Sequence, residues 1–306
     1  MEIINYRLGE SYAKSCVVAL GFFDGVHLGH RDLLSRAKRL ANERGISFGI
    51  FTFKSSGKIK SGTKRIYTDK DKADFFEELG ADFVAFGDFA ELSGLSAEDF
   101  ISRVLRDGFG VSLAVAGYNY RFGRGAMGNA DTLKRLMEEA GGDALICEEF
   151  RLDGKPVSTT VIREALLDGN VGEANRLLGS PYRICGRVSH GRGEGKRLGF
   201  PTLNTHPGSD ILLPRRGVYH TAAKIGGELF SALTNVGTCP TFEERESHLE
   251  TYLLDFSGNL YDEEISIYFI DYLREEKQFS NEKELITQIT VDKNSILEKD
   301  IKNLEI

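Results

Sequence analysis

Short apolar runs alternate with helix-period stretches through the first half of the chain. Ser15–Leu20 (SCVVAL) has the length and apolar content of a buried strand. After it, Leu33, Leu34, Ala37, Leu40 and Ala41 recur at helical spacing until Gly45 ends the pattern. Ile46–Phe53 predicts the next strand, Asp69–Leu79 a helix closed by Gly80, and Phe83–Phe86 a third strand. Ser96 is placed to cap a helix running through Leu105. Leu113–Ala116, Ala130–Ala140 and Ala144–Cys147 then read as strand, helix and strand, and two short helices near 160–168 and 171–178 complete the half. Strand and helix in strict alternation predict a parallel, doubly wound α/β sheet.

Beyond Gly179-Ser180-Pro181 the period changes. Arg183–Ser189, Val218–Lys224, Glu228–Thr234, Glu250–Phe256 and Ile265–Leu273 are β-rich, with turn signals at Gly226-Gly227 and Ser257-Gly258-Asn259. Only the tail from about Asn281 carries a helical face, through Leu285, Ile286 and Ile289. Many strands without intervening helices predict a small, mainly antiparallel β-barrel. The boundary is placed near residue 181, giving domains 1–180 and 181–306.

Composition narrows the partners. Lys plus Arg is 39 and Asp plus Glu 46, a formal charge of −7, distributed as −2 before residue 181 and −5 after it. Neither half has the basic face that a duplex or other polyanion requires, so no nucleic-acid partner is expected. No apolar run approaches a membrane span, and MEIINYRLGE lacks a signal pattern. The four cysteines, at 16, 147, 185 and 239, are dispersed with no C-x-x-C pair, as in a cytoplasmic protein with reduced thiols.

The first candidate site is Gly21-Phe22-Phe23-Asp24-Gly25-Val26-His27-Leu28-Gly29-His30, where the first strand hands over to the first helix. Ligands of doubly wound sheets collect at strand carboxyl ends, and N–H groups of a helix start favour a phosphate. Imidazoles three residues apart can hydrogen-bond phosphoryl oxygens as charge grows there. H-x-x-H is also a metal-ligand spacing, but no nearby Cys or His completes a zinc set.

The same stretch resembles the G-x-F-D-G-x-H-x-G-H signature of the nucleotidyltransferase superfamily, in its FAD synthetase branch. Val157-Ser158-Thr159-Thr160-Val161-Ile162-Arg163 is similar to that branch's I-S-S-T-x-I-R motif, and Gly117-Tyr118-Asn119-Tyr120-Arg121-Phe122-Gly123 to its G-x-D/N-F-x-F-G segment. The resemblance implies a Rossmann-like fold with Gly21, Phe22, Asp24, Gly25, Gly29, Asn119, Ser158 and Thr159 around the nucleotide and flavin. His27, His30 and Arg163 are the groups it assigns to catalysis. One departure stands out. The family's Pro-His-Pro loop is replaced by Lys54-Ser55-Ser56-Gly57-Lys58 in a stretch also carrying Lys60, Lys64 and Arg65. That stretch reads either as a solvated loop or as lysines that contact flavin phosphate.

The second candidate site is Gly191-Arg192-Gly193-Glu194-Gly195-Lys196-Arg197-Leu198-Gly199-Phe200-Pro201-Thr202-Leu203-Asn204. A glycine-spaced loop can present N–H groups to phosphates, although such a stretch by itself is as well explained by a hairpin. Thr202 and Asn204 alternate on an extended segment and so point the same way, offering a hydroxyl and an amide oxygen to a magnesium ion. This stretch resembles the riboflavin kinase signature, with Gly191, Gly195, Lys196, Gly199 and Pro201 toward ATP and Thr202 and Asn204 toward the metal. His248–Phe256 resembles the strand whose glutamate, here Glu250, is that family's base. Asn235, in Asn235-Val236-Gly237-Thr238, and Arg274, in an R-x-E-x-x-F element with Glu276 and Phe279, match further segments.

Together the resemblances imply a bifunctional riboflavin kinase and FAD synthetase. It would convert riboflavin to FMN and FMN to FAD with Mg²⁺ and ATP, in the cytoplasm, as a monomer or weak oligomer. A kinase with a weakened adenylyltransferase domain, or a non-catalytic flavin or nucleotide sensor, are the rival readings.

Overall fold

The computed structural model of the chain describes residues 1–12, 14–54, 63–190, 194–240, 245–297, 299, 301 and 304. The stretch 55–62 and residues 191–193 and 241–244 therefore lie outside the described residues, and with them most of the basic loop and Gly191. The chain divides into two compact units, Met1–Ser158 and Thr159–Ile306.

In the first unit β1 (Glu2–Tyr6), β2 (Cys16–Leu20), β3 (Ser47–Phe53), β4 (Phe83–Gly87), β5 (Val111–Gly117) and β6 (Asp143–Cys147) form one sheet in the order β1-β4-β3-β2-β5-β6. All its pairings are parallel. Every residue of β2 is buried, as expected of a central strand covered on both faces. The flanking helices are α1 (Leu28–Arg44), α2 (Asp69–Glu78), the short α3 (Phe89–Leu92) and α4 (Ala97–Asp99), and α5 (Ala130–Glu139). Strand β1 escaped the sequence reading because only Ile4 and Tyr6 of its five residues face inward. Ser96 caps as expected, its hydroxyl accepting the Asp99 N–H at 3.0 Å. After one turn, however, the helix widens into a π-helix, Phe100–Arg106, which buries Phe100, Ile101, Val104 and Leu105. A small hairpin, β7 (Arg151–Leu152) and β8 (Lys155–Pro156), ends the unit.

Topology positions the first site. The chain leaves β2 for β3 and β4 on one side, then crosses to β5 on the other, with Leu20 opposite Ala116. A crevice opens at the carboxyl ends of strands where the winding direction reverses. Gly21–His30 and Gly117–Asn119 are the exits of those two strands.

The second unit begins with α6 (Thr159–Leu167) and α7 (Val171–Leu178) and continues into a closed antiparallel barrel. Its strands are β9 (Tyr182–Ser189), β10 (Thr202–Thr205), β11 (Gly217–Ile225), β12 (Glu228–Pro240), β13 (Arg245–Leu253) and β14 (Glu264–Arg274), in the order β10-β13-β12-β11-β14-β9. Pairing of β9 with β10 closes the ring. Inside, the hydroxyls of Thr221, Thr234 and Thr251 link at 2.8 and 3.0 Å across three strands. The compact units part before the change of hydrophobic period at Pro181, because α7 is pinned to the barrel. The Asn175 amide donates to Phe269 O and accepts from Tyr182 N–H at 2.8 and 2.7 Å. After a short α8 (Glu194–Arg197), the tail helix α9 (Glu282–Ile296) docks through Ile296, buried with Val218, Leu233 and Leu254.

Candidate active sites

The first site is one strained turn. Phe23 and Val26 hold φ of 52° and 39°, and Gly25 a φ of 88°. A positive φ is costly for a β-branched residue such as Val26, about 1–3 kcal/mol, and persists only where surroundings enforce it. They do here. The buried Thr52 hydroxyl donates to Phe22 O at 3.0 Å, and Arg31 Nε donates to Val26 O at 3.1 Å. Asp24 is buried, and its Oδ1 accepts the Ile66 N–H at 3.0 Å. Asp24 thus ties the turn to the chain before α2.

His27 caps α1, its Nδ1 accepting the His30 N–H at 3.3 Å. With Nδ1 an acceptor, the neutral ring carries its proton on Nε2. The two imidazoles stack at 3.7 Å, 15° from parallel. Gly29 permits this, since a Cβ there would lie 3.3 Å from the His27 ring and 3.2 Å from Phe150 Cβ. Burial pushes His27 down to about 4. It pushes His30 well below the ordinary range, with His27 and then Lys72 adding to the effect. Both rings are therefore neutral at pH 7 and can offer an N–H to a ligand without carrying a charge.

Lys72 was not singled out from sequence. A lysine inside a helix pattern ordinarily marks a solvated face, but this one is 1% exposed. Its ammonium lies 3.2 Å from Asp69 Oδ1, 3.4 Å from Phe53 O and 5.1 Å from the centroid of the half-exposed Phe22 ring. Asn119 stands exposed at the exit of β5, its Oδ1 over Gly117. Ser158 is the last residue of the first unit, while Thr159 and Arg163 lie on the first turns of α6 in the second.

The second site is set by register. Asn204 of β10 lies directly opposite Glu250 of β13, which lies directly opposite Asn235 of β12. Directly opposed residues project to one face with Cβ atoms roughly 4.5–5.5 Å apart. Their neighbours Thr205, Leu249, Thr251 and Thr234 fill the interior, so this row is on the outer face. Thr202, two residues before Asn204, shares it, and a Cβ on Gly195 would come 3.2 Å from the Thr202 hydroxyl. Gly195 and Lys196 belong to α8, with Gly199 and Pro201 in the turn that follows. Asn235 donates to Glu276 Oε1 at 3.2 Å, and its own Oδ1 is buried without a hydrogen-bond partner among the described residues. His248 lies on the same face, its Nε2 3.1 Å from Glu250 Oε1. Sequence reasoning passed over it, although its position two residues before Glu250 on a strand was the available signal.

Arg274 is differently employed. Its Nε and a terminal nitrogen donate to Asp292 at 2.9 and 2.7 Å, and another terminal nitrogen donates to Glu275 O at 3.0 Å. The fork that a flavin contact would use is turned toward α9.

Residues 9–161 match the FAD synthetase family and residues 178–299 the riboflavin kinase family. The bifunctional riboflavin kinase/FMN adenylyltransferase of Bacillus subtilis is 34% identical, covering 96% of this chain and 95% of that protein. Its counterpart in Pseudomonas fluorescens is 35% identical, covering 91% of each. Among solved structures, one from Streptococcus pneumoniae named as a macrolide-efflux protein superposes with a TM-score of 0.87 at 28% identity, over 96% of this chain and 98% of that one. Among the described residues no helix is long and apolar enough to cross a membrane.

Proposed function

This chain belongs to the family of bifunctional riboflavin kinases/FMN adenylyltransferases, and from that premise we propose how its residues divide two ATP-dependent reactions. It phosphorylates riboflavin to FMN and adenylylates FMN to FAD, with release of pyrophosphate. Residues 1–180 carry adenylyl transfer and residues 181–306 the kinase step.

The observation that carries the kinase assignment is the placement of Glu250 directly across from Asn204 on one face of the barrel. Glu250 takes the proton of the ribityl 5′-hydroxyl as its oxygen bonds the γ-phosphorus of ATP and ADP departs. Thr202 and Asn204 offer a hydroxyl and an amide oxygen, the hard donors that Mg²⁺ accepts beside water and phosphate. A magnesium ion bound there supplies neutralising charge to the phosphates. Gly191, Gly195, Lys196, Gly199 and Pro201 shape the ATP loop. Asn235, with its unpartnered Oδ1, faces the flavin, and Arg274 supports that side through Asp292.

In the other reaction, FMN phosphate attacks the α-phosphorus of ATP. The His27 and His30 N–H groups stabilise the charge that grows on the α-phosphoryl oxygens. Ser158, Thr159 and Arg163 hold the departing pyrophosphate. Gly21, Phe22, Asp24, Gly25, Gly29 and Asn119 build the turn and crevice that receive the nucleotide. The partners are then riboflavin, FMN, FAD and ATP, without nucleic acid or membrane, and the chain acts in the cytoplasm as a monomer or weak oligomer. The thiols of Cys16 and Cys147, dispersed in the chain and outside any disulfide, support that location.

Incubation of the protein with riboflavin, Mg²⁺ and ATP tests this by chromatography. FMN followed by FAD is expected. FMN alone selects a kinase with a disabled first unit, and neither product selects a sensor. Loss of FMN formation on chelation, restored by Mg²⁺, checks the metal.

A further inference from the structure

Among the described residues, His248 is a buried titratable side chain on the kinase face to which the proposed reaction gives no task. The residue is 9% exposed, and its Nδ1 is buried with no hydrogen-bond partner among the described residues. Its Nε2 lies 3.1 Å from Glu250 Oε1. These two facts fix the tautomer. A proton on Nδ1 would be a buried donor without an acceptor, whereas on Nε2 it meets a carboxylate oxygen. Gly237 lies directly opposite His248 on β12, and a Cβ there would make an ordinary contact with the ring, 3.7 Å from His248 Cε1, while crowding Glu276 Oε1 at 2.9 Å and Asn235 Nδ2 at 3.2 Å. Besides Glu250 and Glu276, the titratable neighbour among the described residues is His206, its ring 6.3 Å from that of His248.

Glu250 itself is in a different situation. Its side chain is 42% exposed, and the terminal torsion of a glutamate is broad. A base of that kind is effective only when one oxygen is held toward the proton that it removes.

We infer that His248 is a positioning residue for phosphoryl transfer, its Nε2–H holding Oε1 of Glu250 so that Oε2 is presented to the acceptor alcohol. The inference rests on Glu250 being the base. In the step, the alcohol proton passes to Oε2, the new O–P bond forms and the bond from the γ-phosphorus to the bridging oxygen of ADP breaks. His248 neither gains nor loses a proton.

The test compares His248→Ala and His248→Gln with the unaltered protein, measuring FMN formation from riboflavin and FAD formation from FMN on the same samples. His248→Ala is expected to lower kcat for FMN formation about 10- to 100-fold, with KM for riboflavin and ATP within about twofold. His248→Gln, which restores an N–H donor, is expected to recover most of that loss. FAD formation should be unchanged in both and reports a folded chain. Unchanged kcat in the alanine variant, a glutamine variant no better than alanine, or a loss confined to KM would each overturn the inference. Glu250→Gln separates the two layers. If it keeps FMN formation, the base assignment falls and the positioning role with it. If it is inactive while His248→Ala is fully active, only the positioning role falls.

Discussion

The two candidate sites are built in opposite ways. In the first unit both histidines and the turn that holds them fall within ten consecutive residues at the end of β2, and the fold supports them by burying His27 and enforcing positive φ at Phe23 and Val26. In the barrel the groups come from three strands, at 202–204, 235 and 248–250, and meet only because antiparallel pairing puts them in one row. The first site stores strain and desolvation in a loop. The second sits on unstrained strands, where register does the positioning and Glu250 remains half-exposed. A site of the first kind is sensitive to whatever holds the turn, and one of the second kind to whatever holds the strands.

The largest effects should separate the sites outright. Glu250→Gln is expected to lower FMN formation by roughly 10²–10⁴-fold and leave FMN-to-FAD conversion intact. His30→Ala should do the reverse, by about 10²–10³-fold. Loss of both activities in a folded variant of either kind would erase the division. Next comes Asp292→Ala, which strands the nearly buried Arg274 guanidinium that now binds it at 2.7 Å. Removing one partner of such a pair costs about 3–5 kcal/mol, so denaturant melts should show the barrel unit weakened, with adenylyl transfer from FMN preserved.

Acid sharpens the contrast further. His27 is held down to about 4 by burial, below its ordinary value of 6.5. The unfolded chain therefore binds more protons between those values. Stability is intact above pH 6.5 and falls as the pH drops toward 4, on the order of 3 kcal/mol from this group. Buried His220 of the barrel, also lowered to about 4, gives the second unit a slope of the same sign. His27→Gln should thus flatten the pH dependence of melting in the first unit alone. The smallest expected effect is that of Thr52→Val, which deletes the hydroxyl bond to Phe22 O. It should cost about 1 kcal/mol in melting experiments and slow FAD formation without touching FMN formation.

The difference in construction also explains what could be read in advance. Gly21–His30 was legible because its glycines, histidines and helix start are contiguous, and the helix period after it fixed where the turn must lie. The strand–helix alternation likewise announced the parallel sheet, but not β1, whose two inward residues make too short a pattern. Thr202 and Asn204 were readable as a same-face pair, because alternation along a strand is local. That Glu250, and not another acid, stands beside them was not readable from periodicity, since no local pattern encodes which strands pair. Nor was the partner of Arg274, which lies 18 residues on, in a helix.

By itself, then, the amino-acid order determined most of the elements, the two hydrophobic periods and the turn Gly21–His30, whose groups are chain neighbours, because backbone sterics and side-chain periodicity act over a few residues. Only the folded chain decided the reversal of winding between β2 and β5, the row Asn204–Glu250–Asn235 beside His248, and the burial of Lys72 beneath Phe22. Those depend on which distant segments exclude water from one another, a free energy that belongs to the packed surfaces together and to no single stretch of chain.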